Sequence, residues 1–480
     1  MIKSILMIHP PYLSKFKCMP LGAAYIKAYL KGRGYDVSIL DMDPMGVDID
    51  GLAAFLDRER PDLVAVSFMT VQAVEAARVA AAVKAARPDV VTVAGGVHAS
   101  ALPEDVLLAG GFDYVVCGEG EETMRDLIET LNSGGGPGTV KGLAFFEDGR
   151  MKVTPARPLI EDIDALPFPD WSGLPVEEYN DSVMGADDDT PTFPILSTRG
   201  CPYGCIFCAS NVVFRRKYRA RSSENIIDEI TCLMEKYGTH NFDFVDDTLT
   251  LEKERLLGLC DLIISRGLRI NWICNARVNG FDDDMALKLK DAGCRNVCFG
   301  VESGDPEVWK TVNKAVTREE ILFAHSAARR AGLIVTSFFM VGNVGESRES
   351  IDKTIKFMNE IETDYPTCSI ATPYPGTEMY RMGQANGWIR VREWDEYVTT
   401  PHVKMDYRPV WTNGIMSEKE ILDAYYLVNS RIIAKKLVTR YGRLYYLNPR
   451  FYKNEIVRRI RSAGFKNVFA LMGRILRRKG

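Results

Sequence analysis

Two stretches of the chain alternate short apolar runs with helix-like segments, and this alternation constrains the fold more than any other feature of the sequence. A short apolar run bounded by turn residues is typical of a buried strand. Strands that alternate with helices form parallel sheets whose faces are covered by those helices. Because the alternation occurs twice in 480 residues, the sequence predicts an α/β protein with two separate sheets.

The first alternation, in residues 1–140, predicts a doubly wound parallel sheet. Its predicted strands are Ile2–His9, Val37–Leu40, Leu63–Ser67, Val90–Ala94 and Tyr114–Val116. Its predicted helices are Gly22–Lys31, Ile49–Arg58, Val71–Ala86, Pro103–Ala109 and Glu121–Leu131. Residues 141–191 then predict a hairpin that turns at Asp148-Gly149, followed by a surface linker rich in Pro and Asp.

The second alternation, in residues 192–381, predicts six strand–helix units that form an open, partial TIM-type (β/α)6 barrel. In such a barrel the functional groups follow the C-terminal ends of the strands. Residues 382–480 predict a mainly helical C-terminal region. The predicted barrel strands are Ile195–Thr198, Phe242–Val245, Ile270–Cys274, Asn296–Phe299, Ile334–Phe339 and Thr367–Thr372.

Three cysteines, Cys201, Cys205 and Cys208, lie on one loop directly after the first predicted barrel strand. Thiolates are the usual ligands of iron–sulfur clusters. Three of them can hold three irons of a [4Fe–4S] cluster and leave the fourth iron open to a small molecule. The alternatives are three buried thiols or a zinc site, which would normally take a fourth Cys or His ligand.

The loop from Arg199 to Cys208 resembles the CxxxCxxC loop of the radical S-adenosylmethionine superfamily. The resemblance implies that the open iron binds the amino and carboxylate groups of S-adenosylmethionine. The turn Gly342–Glu346 departs from the family, which usually has a proline there. By the same resemblance, four residues contact the cofactor: Phe207 near the adenine, Asp246 at the methionyl amine, Glu302 at the ribose, and Arg277 at the end of the third strand.

Small residues close the predicted strands of the first sheet, where a large planar ligand can approach the backbone. The order of these residues resembles the cobalamin-binding domain that precedes the barrel in many radical enzymes. No Asp-x-His-x-x-Gly motif is present, which implies that no histidine binds cobalt and that His98 contacts the corrin or its tail. The resemblance places six residues against cobalamin: Ser67, Thr70, Gly95, Gly96, Gly118 and Glu119.

The resemblance implies an enzyme in which a 5′-deoxyadenosyl radical removes a hydrogen atom from an unactivated carbon. Methylcobalamin would then donate a methyl group, so we expect a C-methyltransferase. A radical oxidoreductase, cyclase or rearrangement enzyme that transfers no methyl group is the alternative. A cofactor-sensing protein is a third interpretation, which the predicted methionine and ribose contacts disfavour. The expected partners are a small-molecule or lipid-like substrate and an electron donor such as ferredoxin or flavodoxin.

Charge is distributed unevenly along a chain whose formal net charge is −4. Arg431–Gly480 contains fifteen Lys and Arg residues and one acid, interleaved with apolar residues. Such a segment can lie on an anionic membrane, or it can cap the acidic barrel. The net charge and the lack of a recognised module predict no nucleic-acid binding. Without a signal-peptide pattern or about 18 consecutive apolar residues, we expect a cytoplasmic protein, peripheral at most on the inner membrane face.

Overall fold

The computed structural model describes residues 1–11, 17–179, 183, 190–390, 393–401 and 407–442. The chain divides into two compact units, Met1–Tyr425 and Tyr426–Gly480. Both sheets lie in the first unit. Most of the basic C-terminal segment, residues 443–480, is outside the described residues, and so is the membrane or capping role predicted for it. None of the described helices combines the length and the apolar character needed to cross a bilayer.

The N-terminal sheet confirms the predicted doubly wound fold. Within the described ranges it has seven strands: β1 (Ser4–His9), β2 (Asp36–Asp41), β3 (Leu63–Ser67), β4 (Val91–Gly95), β5 (Tyr114–Val116), β6 (Leu143–Glu147) and β7 (Arg150–Val153). Their order is β2-β1-β3-β4-β5-β6-β7, and the first five are parallel. The winding direction reverses between β1 and β3, and ligands bind beyond the carboxyl ends of strands at such a reversal.

The helices of this domain follow the predicted pattern with one addition. They are α1 (Leu21–Lys31), α2 (Ile49–Glu59), α3 (Ala73–Ala86), α4 (Val97–Ala101), α5 (Pro103–Leu108) and α6 (Gly120–Asn132). The short helix α4 was not predicted, because its five residues are too few to show a helical period. The helix predicted to start at Val71 begins instead as a 3-10 turn over Thr70–Gln72.

The hairpin and linker that join the two sheets also agree with the sequence. The turn between β6 and β7 places Asp148 and Gly149 at φ 51° and 73°, as a tight type I′ hairpin requires. The linker lies along α1, where the Asp170 amide donates to the Ala24 carbonyl at 3.1 Å. Lys31 pairs with the Asp170 carboxylate at 2.7 Å, so the linker is attached to the first domain by polar contacts.

The second sheet confirms the partial barrel. Its described strands are all parallel, and they follow one another in chain order from β8 (Thr192–Ile195) through β11 (Asn241–Phe244), β12 (Asn271–Ala276), β13 (Cys294–Glu302) and β14 (Ile334–Val341) to β15 (Tyr365–Ile370). The predicted first strand Ile195–Thr198 was misplaced. The ladder of β8 ends at Ile195, and the chain then enters a separate antiparallel ribbon formed by β9 (Thr198–Arg199) and β10 (Arg219–Ala220).

The helices that accompany and follow the barrel strands are α7 (Ser210–Phe214), α8 (Ser223–Tyr237), α9 (Lys253–Ser265), α10 (Asp283–Asp291), α11 (Pro306–Thr311), α12 (Arg318–Arg330), α13 (Arg348–Glu360), α14 (Glu378–Ala385) and α15 (Glu418–Tyr441). Side-chain caps define several of their starts. Thr317 and Glu320, for example, form a reciprocal capping box at the start of α12.

Candidate active site

The three cysteines lie on a loop whose two ends are held together by the β9–β10 ribbon. Arg199 faces Arg219 across this ribbon, and residues 200–218 form the loop. Gly200 closes the loop at φ 87°, where a Cβ atom would lie 2.3 Å from the Lys217 backbone oxygen. Only glycine fits so close an approach, so the sequence folds the cysteines back toward the barrel mouth.

The three thiols are half-buried and line one pocket with Tyr203 and Thr377. Burial raises the pKa of the Cys208 thiol to about 11 and also raises that of Cys201. Iron must therefore displace protons when it binds. Nowhere in the described ranges do three or more His, Cys, Asp or Glu residues surround a single metal ion. Cluster thiolates bind three different irons and do not need to converge on one point, so this loop fits a [4Fe–4S] cluster.

Arg277 reaches the cysteine loop from the end of β12, where the sequence places it. Its Nη1 donates to the Cys205 Sγ at 3.7 Å, and its guanidinium lies 3.6 Å from the centre of the Tyr203 ring. Its Nε donates to the Asn279 side chain at 3.1 Å. The side chain is therefore fixed beside the loop by several contacts, and it places a positive charge next to the thiols.

Glu302, at the end of β13, forms a buried ion pair that the sequence did not reveal. Its backbone has φ 65°, unusual for a residue with a side chain. Its Oε1 accepts a hydrogen bond from Lys314 Nζ at 2.8 Å, and Arg277 donates to the Lys314 carbonyl. Lys314 follows the short helix α11, and nothing in the local sequence indicates that it is buried.

Two adjacent aspartates at the end of β11 face different surroundings. Asp246 is completely buried, and its Oδ1 accepts hydrogen bonds from the Ser197 and Thr198 hydroxyls. Burial raises the pKa of the Asp246 carboxyl. Asp247 is exposed and accepts a hydrogen bond from Ser210, two residues beyond the last cluster cysteine. Asp247 thus contacts the cysteine loop itself, whereas the predicted Asp246 contacts the two residues that lead into the β9–β10 ribbon.

The turn that lacks the family's proline is held by its own side chains. The backbone N–H groups of Gly342 and Asn343 donate to Glu346 Oε2 at 2.6 and 3.2 Å. The Asn413 side chain donates to the carbonyls of Asn343 and Glu346, both at 2.8 Å. Phe207 packs against the hydrophobic cluster that contains Val344 of this turn. Phe207 belongs to the cysteine loop, so the loop and this turn contact the same hydrophobic cluster.

A cavity of about 370 Å³ lies beyond the carboxyl ends of the N-terminal strands. Its far wall belongs to the barrel domain and includes Leu196, Val213 and Phe214. Its lining is largely apolar, as is usual for a site that takes a cofactor. Five of the six residues predicted to contact cobalamin line this cavity: Ser67, Gly95, Gly96, Gly118 and Glu119.

Thr70, the sixth predicted residue, is covered. Its hydroxyl is hydrogen-bonded to His98 Nδ1 at 3.3 Å, and both residues are buried. The edge of the Trp394 ring lies against His98, with the ring centres 4.9 Å apart. Burial lowers the pKa of His98 to about 4, so the imidazole is neutral. The sequence could not place Trp394 here, because it lies about 300 residues further along the chain.

The inner face of the barrel sheet carries several partly exposed side chains. On β14, Ser337 faces outward, and its hydroxyl is hydrogen-bonded to His325 Nε2 of α12 at 2.8 Å. The neighbouring Phe338 therefore points inward, and it is 39% exposed although its strand lies within the sheet. Met340 and Ser369 are half-buried on the same face. This face offers an apolar surface with a few hydroxyl groups.

Comparisons with known proteins agree with this two-part site. The family model for the B12 binding domain matches residues 13–128, and that for the Radical SAM superfamily matches residues 195–358. An uncharacterized methyltransferase of Pyrococcus horikoshii is 33% identical over 405 residues, which cover 83% of this chain and 87% of that protein.

Two further similarities cover nearly the whole chain. The anaerobic magnesium-protoporphyrin IX monomethyl ester cyclase of Rubrivivax gelatinosus is 29% identical over 485 residues, which cover 98% of this chain and 84% of the cyclase. The solved structure of the cobalamin-dependent S-adenosylmethionine radical enzyme OxsB, with aqua-cobalamin and S-adenosylmethionine bound, has a TM-score of 0.75 at 15% identity. That match covers 100% of this chain and 75% of OxsB.

Proposed function

The chain belongs to the cobalamin-binding radical S-adenosylmethionine enzymes, and we propose that it transfers a methyl group to an unactivated carbon of a small molecule. When bound, the cluster and cobalamin supply the one-electron cleavage of S-adenosylmethionine and a transferable methyl group. The observation that carries the proposal is the cavity between the two sheets. It is bounded on one side by the cobalamin-type sheet and on the other by residues next to the cysteine loop.

Different residues of the barrel mouth would contact different parts of S-adenosylmethionine. Cys201, Cys205 and Cys208 hold the cluster. Asp247, which contacts the cysteine loop, would accept a hydrogen bond from the methionyl amine, while the buried Asp246 would fix the entry to the loop through Ser197 and Thr198. The contacts and the charge of each side chain support these roles.

The remaining contacts to S-adenosylmethionine come from the strand ends further around the barrel. Lys314 and Arg277 are the cations available for the methionyl carboxylate, and Lys314 also orients Glu302 toward the ribose. Phe207 and the turn Gly342–Glu346 supply an apolar and backbone surface for the adenine. Lys314 is a residue that we add to the set expected from the sequence.

The N-terminal cavity suits cobalamin because the residues at the strand ends are small. Gly95, Gly96 and Gly118 present bare backbone at the ends of β4 and β5, and Ser67 adds a hydroxyl at the end of β3. With no side chains in the way, a large cofactor can lie directly against the strand ends. His98 is buried behind this surface and contributes packing rather than a ligand to cobalt.

The inner face of the barrel supports a substrate with an apolar portion. Phe338 and Met340 provide apolar contact, and Ser369 provides a hydroxyl for orientation. No carboxylate or cation of the described residues is needed to abstract a proton there, since the hydrogen atom is removed by a radical. The chain's task is to hold the substrate and to exclude water.

Methyl transfer is tested by anaerobic incubation of the reconstituted protein with S-adenosylmethionine that carries a deuterated methyl group and with a metabolite extract. We expect a deuterium-labelled product, formed together with 5′-deoxyadenosine and S-adenosylhomocysteine. The C208A variant, which lacks one cluster ligand, is the control. If 5′-deoxyadenosine accumulates with an unlabelled, oxidised product, the reaction is not methyl transfer.

A cyclase or oxidoreductase is the second candidate, and the similarity to the magnesium-protoporphyrin ester cyclase over 98% of this chain favours it. The same two sheets serve either reaction. The experiment above separates them, because a cyclase product would contain no label from the S-adenosylmethionine methyl group. We place methyl transfer first, since the relative with the higher identity is a methyltransferase.

We also propose that the protein works in the cytoplasm with a ferredoxin or flavodoxin as electron donor, and that it contacts the inner membrane face through Arg431–Gly480. The fifteen Lys and Arg residues of this segment support the membrane contact. Each basic residue near an anionic surface contributes about 1 kcal/mol. Sedimentation with anionic and with neutral liposomes tests it: we expect salt-sensitive binding to the anionic vesicles, and equal binding to both would contradict it.

A further inference from the structure

The two ends of the cysteine loop each carry an arginine, and both arginines are buried. Arg199 immediately precedes Gly200 and Cys201, and Arg219 closes the loop opposite it on β10. They are cross-strand neighbours of like charge, with side chains only 6% and 4% exposed. Two such neighbours repel each other unless anions compensate them. Among the described residues, the ion pairs of both arginines are formed with acids outside the barrel domain.

Both compensating carboxylates come from the N-terminal sheet. Glu119 and Glu121 flank the start of α6, directly after β5, and both are buried. Arg199 bridges them, with Nη1 donating to Glu119 at 2.7 Å and Nη2 to Glu121 at 2.6 Å. Arg219 Nη1 donates to both Glu119 oxygens, at 2.9 and 2.8 Å. The four charges balance.

The buried charge of Arg219 is compensated almost entirely by Glu119. Its other hydrogen bond is to the Ile160 carbonyl at 2.6 Å, again through Nη1. Its Nε and Nη2 are buried and have no hydrogen-bond partner in the part of the chain that the structure describes. The Ile160 amide in turn donates to Glu119 at 2.9 Å, so the linker is tied to the same carboxylate. Removing Glu119 would leave a buried guanidinium with one carbonyl acceptor.

The same side chains border the cavity assigned to cobalamin. Glu119, Glu121 and Arg199 all line it, together with Phe214 from the cysteine loop. A displacement of the loop relative to the sheet would therefore also change the wall of the cavity. The network connects the two cofactor sites through one set of buried charges.

We propose that Glu119, Glu121, Arg199 and Arg219 are positioning residues that hold the base of the cysteine loop at a fixed place on the N-terminal sheet. The separation between the cluster and the cobalamin cavity is then set by four charged side chains rather than by the linker. This inference rests on the proposed function for its purpose. Its test does not require methyl transfer, and so the two can fail independently.

The test uses the holoenzyme reconstituted with iron, sulfide and hydroxocobalamin, as wild type and as the double variant E119Q/E121Q. Hydrogen–deuterium exchange should become roughly tenfold faster or more in peptides that cover 196–221, because the arginines lose their anions. Electron paramagnetic resonance of the reduced enzyme should also change. We expect the spin–spin coupling between the cluster and cob(II)alamin to be weaker, or to be spread over a broader range of values. That second signal reports position, which a simple loss of stability would not change.

The matched control is E229Q. Glu229 pairs with the buried Arg221, which follows the same ribbon, but both belong to the barrel domain. E229Q should speed exchange around α8 and leave the spin–spin coupling as in the wild type. If the double variant fails to fold, R199K is measured instead, since lysine keeps the charge but lacks the two separate nitrogens with which Arg199 reaches Glu119 and Glu121. A folded E119Q/E121Q or R199K enzyme with wild-type exchange in 196–221 and wild-type coupling would overturn the proposal.

Discussion

The carboxyl ends of the two sheets both form cofactor sites, but they are built in opposite ways. At the N-terminal edge, Gly95, Gly96 and Gly118 leave bare backbone around a largely apolar cavity, whose charged lining residues are paired with one another. The barrel edge is crowded with ionisable groups, such as the buried pair of Glu302 and Lys314. We therefore expect the first edge to bind its cofactor mainly by space and shape, and the second mainly by charge.

This difference predicts how each edge fails. An edge that works through space is damaged by added volume and is insensitive to pH. An edge that works through buried charge is damaged when one partner is removed, and it responds to pH because its groups titrate with shifted pKa values. The variants below test this contrast, from the largest expected effect to the smallest.

Loss of one cluster ligand should have the largest effect. In C201A, C205A or C208A, two thiolates remain on the loop, too few to hold three irons. We expect loss of most of the bound iron and of all detectable S-adenosylmethionine cleavage, measured as iron per chain and as 5′-deoxyadenosine formed. Cobalamin binding should persist, since the N-terminal cavity contains no cysteine of this loop.

The control for this variant is C232A. Cys232 is exposed on α8 and lies away from the pocket of the three thiols. C232A should keep its iron and its cleavage activity. Full cleavage activity in any of the three loop variants would show that the cluster is held in another way. The barrel edge would then no longer be the cluster site on which the comparison of the two edges depends.

Two neighbouring glycines test the space-based edge. At Gly96, φ is 97° and a Cβ atom would lie 2.5 Å from the Phe68 backbone oxygen. G96A should therefore lower the free energy of unfolding by about 2 kcal/mol or more. At Gly95 a Cβ atom would meet nothing within 4 Å and the backbone is ordinary strand. G95A should fold normally, yet it places a methyl group in the cavity.

The measurement combines thermal unfolding with equilibrium binding of hydroxocobalamin. We expect G95A to keep the wild-type melting temperature and to bind cobalamin several-fold more weakly. If G95A binds as the wild type does, the cofactor does not lie against the end of β4, and the lining of the cavity has been assigned to the wrong ligand.

Some residues of the two edges could be predicted from the sequence, and others could not. The cysteines and the glycines at strand ends could be predicted because they lie close together in the chain or follow predicted strands directly. Lys314 and the contacts of Glu119 could not be predicted, because each depends on a partner from another element. Glu119, for example, meets arginines 80 and 100 positions later in the chain. Only the tertiary fold brings such charges together.

The choice between Asp246 and Asp247 shows a second limit of local pattern. Adjacent residues at the end of a strand point in opposite directions, so a single-residue shift of the strand exchanges their roles. The ladder of β11 ends at Phe244, one residue before the predicted end at Val245. Which of the two carboxylates contacts the cysteine loop directly could therefore be read only from the backbone.

The pH response should belong to the barrel edge and specifically to Glu346. Burial raises its pKa from an ordinary value of 4.5 to about 8, although the backbone N–H groups of Gly342 and Asn343 oppose the rise. Between these two values the folded state keeps a proton that the unfolded chain has lost. Stability is therefore greatest at the acid end of this range and falls as the pH rises toward about 8, by at most about 1.4 kcal/mol per pH unit.

The E346Q variant tests this assignment, because an amide can accept the same backbone hydrogen bonds without titrating. We expect the difference in melting temperature between E346Q and the wild type to grow with pH up to about 8 and then to level off. Comparing the two proteins at each pH cancels the contribution of other groups. A difference that does not change with pH would mean that Glu346 is not the titrating group.

The smallest effect is expected at His98, a buried histidine at the start of α4, behind the space-based edge. Its ring is buried between Phe68 and Trp394, its Nδ1 is hydrogen-bonded to Thr70, and burial lowers its pKa to about 4. A ring held in this way does not reach cobalt. The electron paramagnetic resonance spectrum of bound cob(II)alamin should therefore show no hyperfine splitting from an axial nitrogen, and H98F should leave that spectrum unchanged. H98F should cost only about 1 kcal/mol of stability, the value of the lost hydrogen bond. Nitrogen splitting that disappears in H98F would make His98 a ligand, and the N-terminal edge would then bind its cofactor by coordination as well as by shape.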